Sequence, residues 1–178
     1  MQLVAGRECG DCTVCCTVAP IRTPMLVKGP NTACPHCVAA GCGIYETRPI
    51  ECRESFCGWR ARPELDAQWR PDISGVLILA EHDAPPPLAG RPGLKFVLVG
   101  DDAPLRTDRF IGYVSALIRR EVPVALSVQG PPGHWPVKTF LNQPLTPAIR
   151  RMDTDAIRQE LERQAAMLRN GAFERADL

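Results

Sequence analysis

The sequence predicts an α+β protein built from two unlike parts. All nine cysteines of the 178-residue chain lie between positions 9 and 57, whereas the rest of the chain alternates short apolar runs with helical patterns. Between the two parts, residues 62–72 (RPELDAQWRPD) contain two prolines and charges of both signs, which is typical of a junction. We therefore expect a small cysteine-rich module, loop-rich with short helices, over residues 1–62. It packs on a small α+β sheet part, residues 63–178, as a separate domain or within one compact unit.

The cysteine-rich module is expected to contain little regular structure. Pro49 suits the first turn of a short helix that carries Cys52, because the N–H that proline lacks would have no partner there. Tyr45 is expected to pack in the interior of the module, since few other large side chains are available to it. Phe56 and Trp59 are expected to pack between the module and the sheet part.

Four short apolar runs in the second part predict β-strands. They are rich in Val, Ile and Leu, and they cover residues 75–80, 94–99, 123–128 and 137–141. The stretch between the first two, HDAPPPLAGRPG, consists of turn-forming residues.

Two helices are predicted from apolar side chains spaced three and four residues apart. The first begins at Thr107 or Asp108, either of which can cap it, and its apolar face uses positions 110, 111, 114, 117 and 118. The second covers about 154–169 and stops before Gly171, and it aligns Ile157, Leu161, Ala165 and Leu168. Together the elements predict a small sheet with helices on one face.

Charge and hydropathy exclude several classes of partner. The chain has 21 basic and 20 acidic residues, a formal net charge of +1, which gives no electrostatic reason to expect nucleic acid or an anionic membrane. No apolar run approaches the roughly 20 residues of a membrane helix. The first residues, MQLVAGRECGDC, have no basic segment followed by an apolar one, as a secretory signal would. We therefore expect a cytoplasmic protein with neither a nucleic-acid nor a membrane partner.

The density of cysteines indicates metal binding rather than disulfides. Residues 9–17, CGDCTVCCT, place four thiols within eight positions, two of them adjacent. An odd total, a reducing compartment and the strain of a bridge between neighbouring cysteines all count against disulfides. Thiolates two residues apart, in contrast, can turn toward one soft ion or cluster.

Two groups of motifs carry a family resemblance. The first group has the pattern CxxCxxCC, and the second, ACPHCVAAGCGIYETRPIECRESFCGW at 33–59, contains GCGIYETRP followed by ECRESFC. Over roughly residues 9–60, a third of the chain, they resemble the YkgJ-like family of cysteine-cluster proteins, described as a zinc- or iron-chelating domain with eight characteristic cysteines. The resemblance implies metal ligands at Cys9, Cys12, Cys15, Cys16, Cys34, Cys42, Cys52 and Cys57. Cys37 departs from the family pattern, so it is either a bystander or a substitute for a neighbouring ligand.

Two cysteine spacings in the sequence indicate different metals. Cys9, Cys12 and Cys15 reproduce the three-ligand run of a [4Fe–4S] cluster, which needs one remote fourth cysteine and leaves Cys16 free for another site. Cys12 and Cys15 with the pair at 34 and 37 instead match a zinc ribbon with an 18-residue spacer. Other zinc pairings among the eight family cysteines remain open. We favour an iron–sulfur cluster, [4Fe–4S], with two zinc ions as the alternative.

Basic residues beside the second cysteine group are candidates to offset the negative charge of the thiolates. We expect Arg48 and Arg53 to do so, and we expect Arg60 and Arg62 to serve solubility or surface ion pairs. His36 is expected to be a turn residue rather than a ligand.

The sequence assigns no catalytic residue. It contains no GxGxxG after a strand, no P-loop, no HExxH and no GxSxG. We therefore expect a metal-binding protein with a structural, electron-transfer or metal-handling role, and lean against an enzyme. The alternative is a metal-cluster-containing enzyme or enzyme component, for example one related to flagellin lysine-N-methylase, which contains a similar cysteine cluster.

Overall fold

The N-terminal part of the fold consists of short elements joined by loops. The structure, a computed structural model, describes residues 3–39, 41–54 and 57–177, so Phe56 lies outside the described residues. Two small hairpins are formed by β1 (Ile21–Arg22) with β2 (Val27–Lys28), and by β3 (Cys37–Val38) with β4 (Gly41–Cys42). Its helices are α1 (Val14–Val18), α2 (Ile50–Glu54) and α3 (Gly58–Ala61), with a 3-10 turn at Tyr45–Thr47. Cys52 lies on α2, as predicted.

The C-terminal part contains a four-stranded sheet and the longer helices. After a 3-10 turn at Ala67–Trp69 and the short helix α4 (Pro71–Ser74), the strands are β5 (Val76–Glu81), β6 (Gly93–Leu98), β7 (Val124–Val128) and β8 (Val137–Phe140). A further 3-10 turn covers Ala103–Arg106, and the helices are α5 (Asp108–Arg119), α6 (Asn142–Arg151) and α7 (Thr154–Arg169). None of the described helices combines the length and the apolar composition that crossing a membrane requires.

The sheet has the order β5-β6-β7-β8 and mixes both kinds of pairing. β6 is antiparallel to β5 and parallel to β7, and β7 is antiparallel to β8. A parallel neighbour requires a crossover connection, and α5 lies in that connection. Thr107 caps α5, because its side chain accepts a hydrogen bond from the backbone N–H of Phe110. The predicted α+β class is thus confirmed.

The two faces of the sheet are covered by different parts of the chain. Side chains alternate along each strand. Val76, Ile78 and Phe96 belong to the large core formed with α5, α6 and α7. On the opposite face, Leu77 and Val97 form a second core cluster with two valines of α1, Val14 and Val18. The cysteine-rich module therefore occupies the sheet face that the long helices leave open.

The helix α6 was not expected from the sequence. It contains Pro144 and Pro147, and a proline inside a helix removes a hydrogen bond and usually breaks the helix. Pro144 falls in the first turn, where the lost N–H has no partner in any case, and Pro147 lies inside the helix. Leu145 and Ile149 are buried in the large core, so tertiary packing outweighs the unfavourable propensity.

The helix α3 joins the cysteine-rich module to the edge of the sheet. It lies against β5, the first strand of the sheet order, and Trp59 is buried in the large core. A Cβ atom at Gly58 would lie 2.6 Å from Cγ2 of Ile78 and 2.8 Å from its Cβ. Only glycine therefore lets the chain after Cys57 approach the strand this closely.

We predict that Gly58→Ala destabilises the protein by about 1–3 kcal/mol, the usual cost of overpacking a well-filled site. The measurement is the free energy of unfolding in urea. The matched control is Gly112→Ala on α5, where an added Cβ meets no atom within 4 Å. That exchange should stabilise the helix by about 0.5–1 kcal/mol. Equal stability of Gly58→Ala and the unchanged protein would contradict the close packing.

Candidate metal centre

The orientation of α1 keeps two adjacent cysteines off the helix face that packs on the sheet. Val14 and Val18 are four residues apart, so they share one helical face, and that face packs on the sheet. Cys15 and Cys16 lie on other sides of the same short helix; Cys15 is exposed and Cys16 is half-buried. Both thiols are therefore available to the space between α1 and the second cysteine group.

Close backbone contacts bring the two cysteine groups together. The backbone N–H of Cys34 donates to the carbonyl of Cys16 at 3.0 Å. Gly41, at the start of β4, has a φ of +117°, and a Cβ there would lie 2.6 Å from the carbonyl oxygen of Gly10. A side chain at Gly41 would thus be strained and would also push the loop around Cys9 away.

Seven cysteines line one cavity of about 190 Å³. They come from both groups: Cys9, Cys12, Cys15, Cys16, Cys34, Cys42 and Cys52. Arg48 and His36 also line it, and its apolar walls include Ile21 and Leu26. All nine cysteines of the chain are free thiols in this structure.

A second, smaller cavity of about 20 Å³ lies between the cysteines and the sheet. Its cysteines are Cys9, Cys12, Cys15 and Cys57, and the sheet contributes Leu77. Each of the eight cysteines that the family resemblance implies as ligands lines at least one of the two cavities. Cys37 lines neither, although it is the cross-strand partner of Cys42 in the β3–β4 hairpin.

The thiols surround the cavities without forming a finished coordination site. Within residues 3–39, 41–54 and 57–177, no three His, Cys, Asp or Glu side chains are grouped so that they could already hold a metal ion. The donors are nonetheless of the type that zinc and iron–sulfur clusters bind. The side chains would have to turn toward one another on binding, as in sites that form together with their metal. The donor set fits such a group, and the ligating geometry would follow from its binding.

A buried lysine that the sequence analysis did not single out lies beside the cavity. Lys28 on β2 is only 3% exposed, and its Nζ donates to the carbonyls of Thr17 at 3.1 Å and Thr32 at 2.6 Å. Burial lowers the pKa of this ammonium group, whereas the nearby thiols, Cys34 first among them, favour its charged form. The partners of the Lys28 ammonium group among the described residues are backbone carbonyls, so Lys28 brings a cation close to the cluster.

Of the two arginines expected to offset thiolate charge, one lines the larger cavity. The guanidinium carbon of Arg48 lies 3.8 Å from the centre of the Tyr45 ring. Its Nε is buried and has no hydrogen-bond partner among the described residues. Tyr45 is half-buried, so it supports Arg48 at the cavity rather than filling an interior. Arg53 is exposed and lines neither cavity.

Arg60, expected at the surface, is buried beside the smaller cavity. It is 9% exposed, its Nη1 donates to the sulfur of Cys9 at 3.6 Å, and its Nε donates to the carbonyl of Arg7 at 3.1 Å. The signal that could have found it is its place one helical turn after Cys57. Arg62 contacts Glu64 and Tyr113 instead, so it belongs to a surface ion pair, as expected.

The cysteine thiols differ in pKa because their environments differ. The neighbouring Cys16 thiol lowers the pKa of Cys15, and the same contact raises the pKa of Cys16. Burial raises the pKa of Cys12 to about 11. Burial also raises the pKa of Cys52 and of Cys57. Without metal, Cys15 is therefore the most acidic of these five thiols.

We predict that Cys15 is alkylated before Cys12 in the reduced, metal-free protein at pH 7. The thiolate is the reactive form, so Cys15, whose pKa is lowered, should react at a lower pH than Cys12, which stays protonated until about pH 11. Rates of iodoacetamide labelling, measured by mass spectrometry from pH 5 to 9, give the midpoint for each residue.

The control for this measurement is Cys16→Ala, which removes the hydrogen-bond donor and should move the Cys15 midpoint upward by at least one pH unit. A Cys15 midpoint near that of an ordinary thiol in the unchanged protein would contradict the contact.

Comparison with known proteins yields no match, so the candidate metal centre is interpreted from its geometry alone. No protein-family model, curated protein or solved structure matches the chain. The resemblance to the cysteine-cluster family accordingly remains a prediction that rests on the two cysteine motifs.

Proposed function

We propose that this chain is a metal-binding protein whose cysteine cluster, residues 9–57, holds an iron–sulfur cluster or zinc. The observation that carries the proposal is the grouping of eight cysteines, distant in sequence, around two adjoining cavities. Clustered reduced thiols are stable in a reducing compartment, so we also expect the protein in the cytoplasm. The role that follows is structural, electron-transferring or metal-handling.

The charges around the cavities favour metal binding over the alternative that the thiols bind no metal. Thiolates must be deprotonated to bind a metal, and grouped negative charges in a half-buried site repel one another unless cations offset them. Lys28, Arg48 and Arg60 supply three cations at this cluster, and Lys28 and Arg60 are almost fully buried. Burying those cations without a negative partner would be costly, whereas a thiolate–metal centre provides one.

Between the two metals, the sequence spacing favours iron–sulfur. Cys9, Cys12 and Cys15 form the CxxCxxC run, and they also line the larger cavity, where Cys34, Cys42 or Cys52 would be the remote fourth cysteine. A cluster would allow one-electron transfer, whereas zinc would only cross-link the module. Two zinc ions with four thiolates each remain the alternative.

We predict that protein purified without oxygen is brown and contains iron and acid-labile sulfide. The absorption spectrum should show a broad band near about 400 nm from sulfide-to-iron charge transfer, as expected for a cysteine-ligated cluster. Elemental analysis of the same sample measures iron and zinc per chain. A colourless protein with about two zinc ions would select the alternative metal, and a protein without any bound metal would overturn the proposed function.

We predict that Cys52→Ser loses at least half of the bound metal, whereas Cys37→Ser retains it. Cys52 lines the larger cavity and Cys37 lines neither, and serine is a much poorer ligand for soft metals than cysteine. Metal content per folded chain after gel filtration is the measurement. Full loss of metal from Cys37→Ser would show that the zinc-ribbon pairing, which uses Cys37, is the better assignment.

A further inference from the structure

The eight cavity cysteines differ in which cavity they line. Cys57 lines only the smaller cavity, and four others line only the larger one: Cys16, Cys34, Cys42 and Cys52. The remaining three, Cys9, Cys12 and Cys15, lie on the wall that both cavities share.

The requirement for four ligands in each site divides the eight cysteines into two sets. A closed thiolate site needs four ligands, and the three wall cysteines are the ones that line the smaller cavity together with Cys57. The four cysteines that line only the larger cavity then form a second complete set. The adjacent pair divides between the sets: Cys15 lies on the shared wall, whereas Cys16 lines only the larger cavity.

Backbone and side-chain contacts hold each set together. In the first set, Arg60 follows Cys57 on α3 and donates to the sulfur of Cys9. In the second set, the N–H of Cys34 donates to the carbonyl of Cys16, and Cys42 belongs to the hairpin that follows Cys34.

We propose that the cysteines form two metal sites of different accessibility: an inner site of Cys9, Cys12, Cys15 and Cys57, and an outer site of Cys16, Cys34, Cys42 and Cys52. The inner site, which is small and lies against the sheet, keeps its metal ion and is structural, whereas the outer site exchanges its soft metal ion with small chelating ligands. This inference rests on the two-zinc form of the proposed metal-binding function and specifies the metal-handling role within it.

Size and surroundings distinguish the two sites. The inner cavity of about 20 Å³ has the space of one or two water molecules, enough for a single ion, and its walls include Leu77, Trp59 and Arg60, all buried. The outer cavity of about 190 Å³ leaves room for a small ligand beside an ion. It is bounded by Pro20, Ile21 and Pro49, residues at the ends of short elements rather than in the sheet core.

The two sites also differ in the arginine that lies beside them. Arg60 belongs to the inner site through Cys9. Arg48 lines the outer cavity, and its buried Nε, unpaired within the described chain, is available to an incoming anionic ligand. The outer site therefore has both the space and an unpaired cationic group with which to admit a small chelator, whereas the inner cavity lacks the space and its Arg60 is already hydrogen-bonded to Cys9.

The test uses the full-length protein loaded anaerobically with zinc alone. Transfer of zinc to a small coloured chelator should proceed in two phases of about one ion each, with the first at least tenfold faster. N-ethylmaleimide added after the first phase, followed by peptide mass spectrometry, should find Cys16, Cys34, Cys42 and Cys52 modified. The four cysteines of the inner site should remain protected.

Variants give an independent readout. Cys34→Ser should remove only the fast phase and Cys57→Ser only the slow one, while Cys37→Ser keeps both. If Cys57→Ser fails to fold, the labelling pattern of the unchanged protein decides the matter. A single release phase, or early labelling of any of the four inner cysteines, would overturn the two-site inference while leaving metal binding intact. Failure to bind zinc or iron at all would instead overturn the proposed function, and this inference with it.

Discussion

The packing of Val14 and Val18 against Leu77 and Val97 determines where the cysteines lie. These four apolar side chains form the core cluster on the sheet face opposite the long helices. Burial of such residues typically contributes about 1.5–3 kcal/mol each, so the contact anchors α1 firmly. Because one face of α1 is committed to the sheet, Cys15 and Cys16 are turned toward the loops that carry the second cysteine group. If this single-turn helix were rotated, Cys15 and Cys16 would no longer line the cavities.

The charges of the cluster impose the second constraint on the module. Three cations reach it from three different segments: Lys28 from β2, Arg48 from the chain before α2, and Arg60 from α3. A hairpin, the end of a 3-10 turn and a helix thus each bring one cation to the cluster, and Arg60 donates directly to a sulfur. Removal of the negative charge would leave Lys28 buried with only neutral carbonyl partners, which is unfavourable for an ammonium group. The loops and a bound metal would accordingly stabilise one another.

Local periodicity in the sequence was sufficient to predict the sheet and most of the long helices. The predicted strand at 75–80 is observed at Val76–Glu81, and the predicted last helix coincides with Thr154–Arg169. The helix α6 was missed because its two prolines oppose it locally and only burial of Leu145 and Ile149 favours it. Lys28 and Arg60 were missed for a similar reason. The place of Lys28 is set by the β1–β2 hairpin and that of Arg60 by the close approach of Gly58 to Ile78. The sequence shows neither contact, and its one signal is the position of Arg60 a helical turn after Cys57.

The close approach of Gly41 to Gly10 shows why the two cysteine groups depend on each other. This contact places the loop of Cys9 and Cys12 directly against the hairpin of Cys42, and neither segment has large apolar side chains with which to hold the other. Backbone contacts of this kind stabilise a module weakly, and modules of this size usually need a cross-link. Thiolate ligation can contribute on the order of 10 kcal/mol, and it counts as folding free energy when the site forms together with the fold. The sheet fixes one side of the cluster, and a bound metal would fix the side that faces away from it.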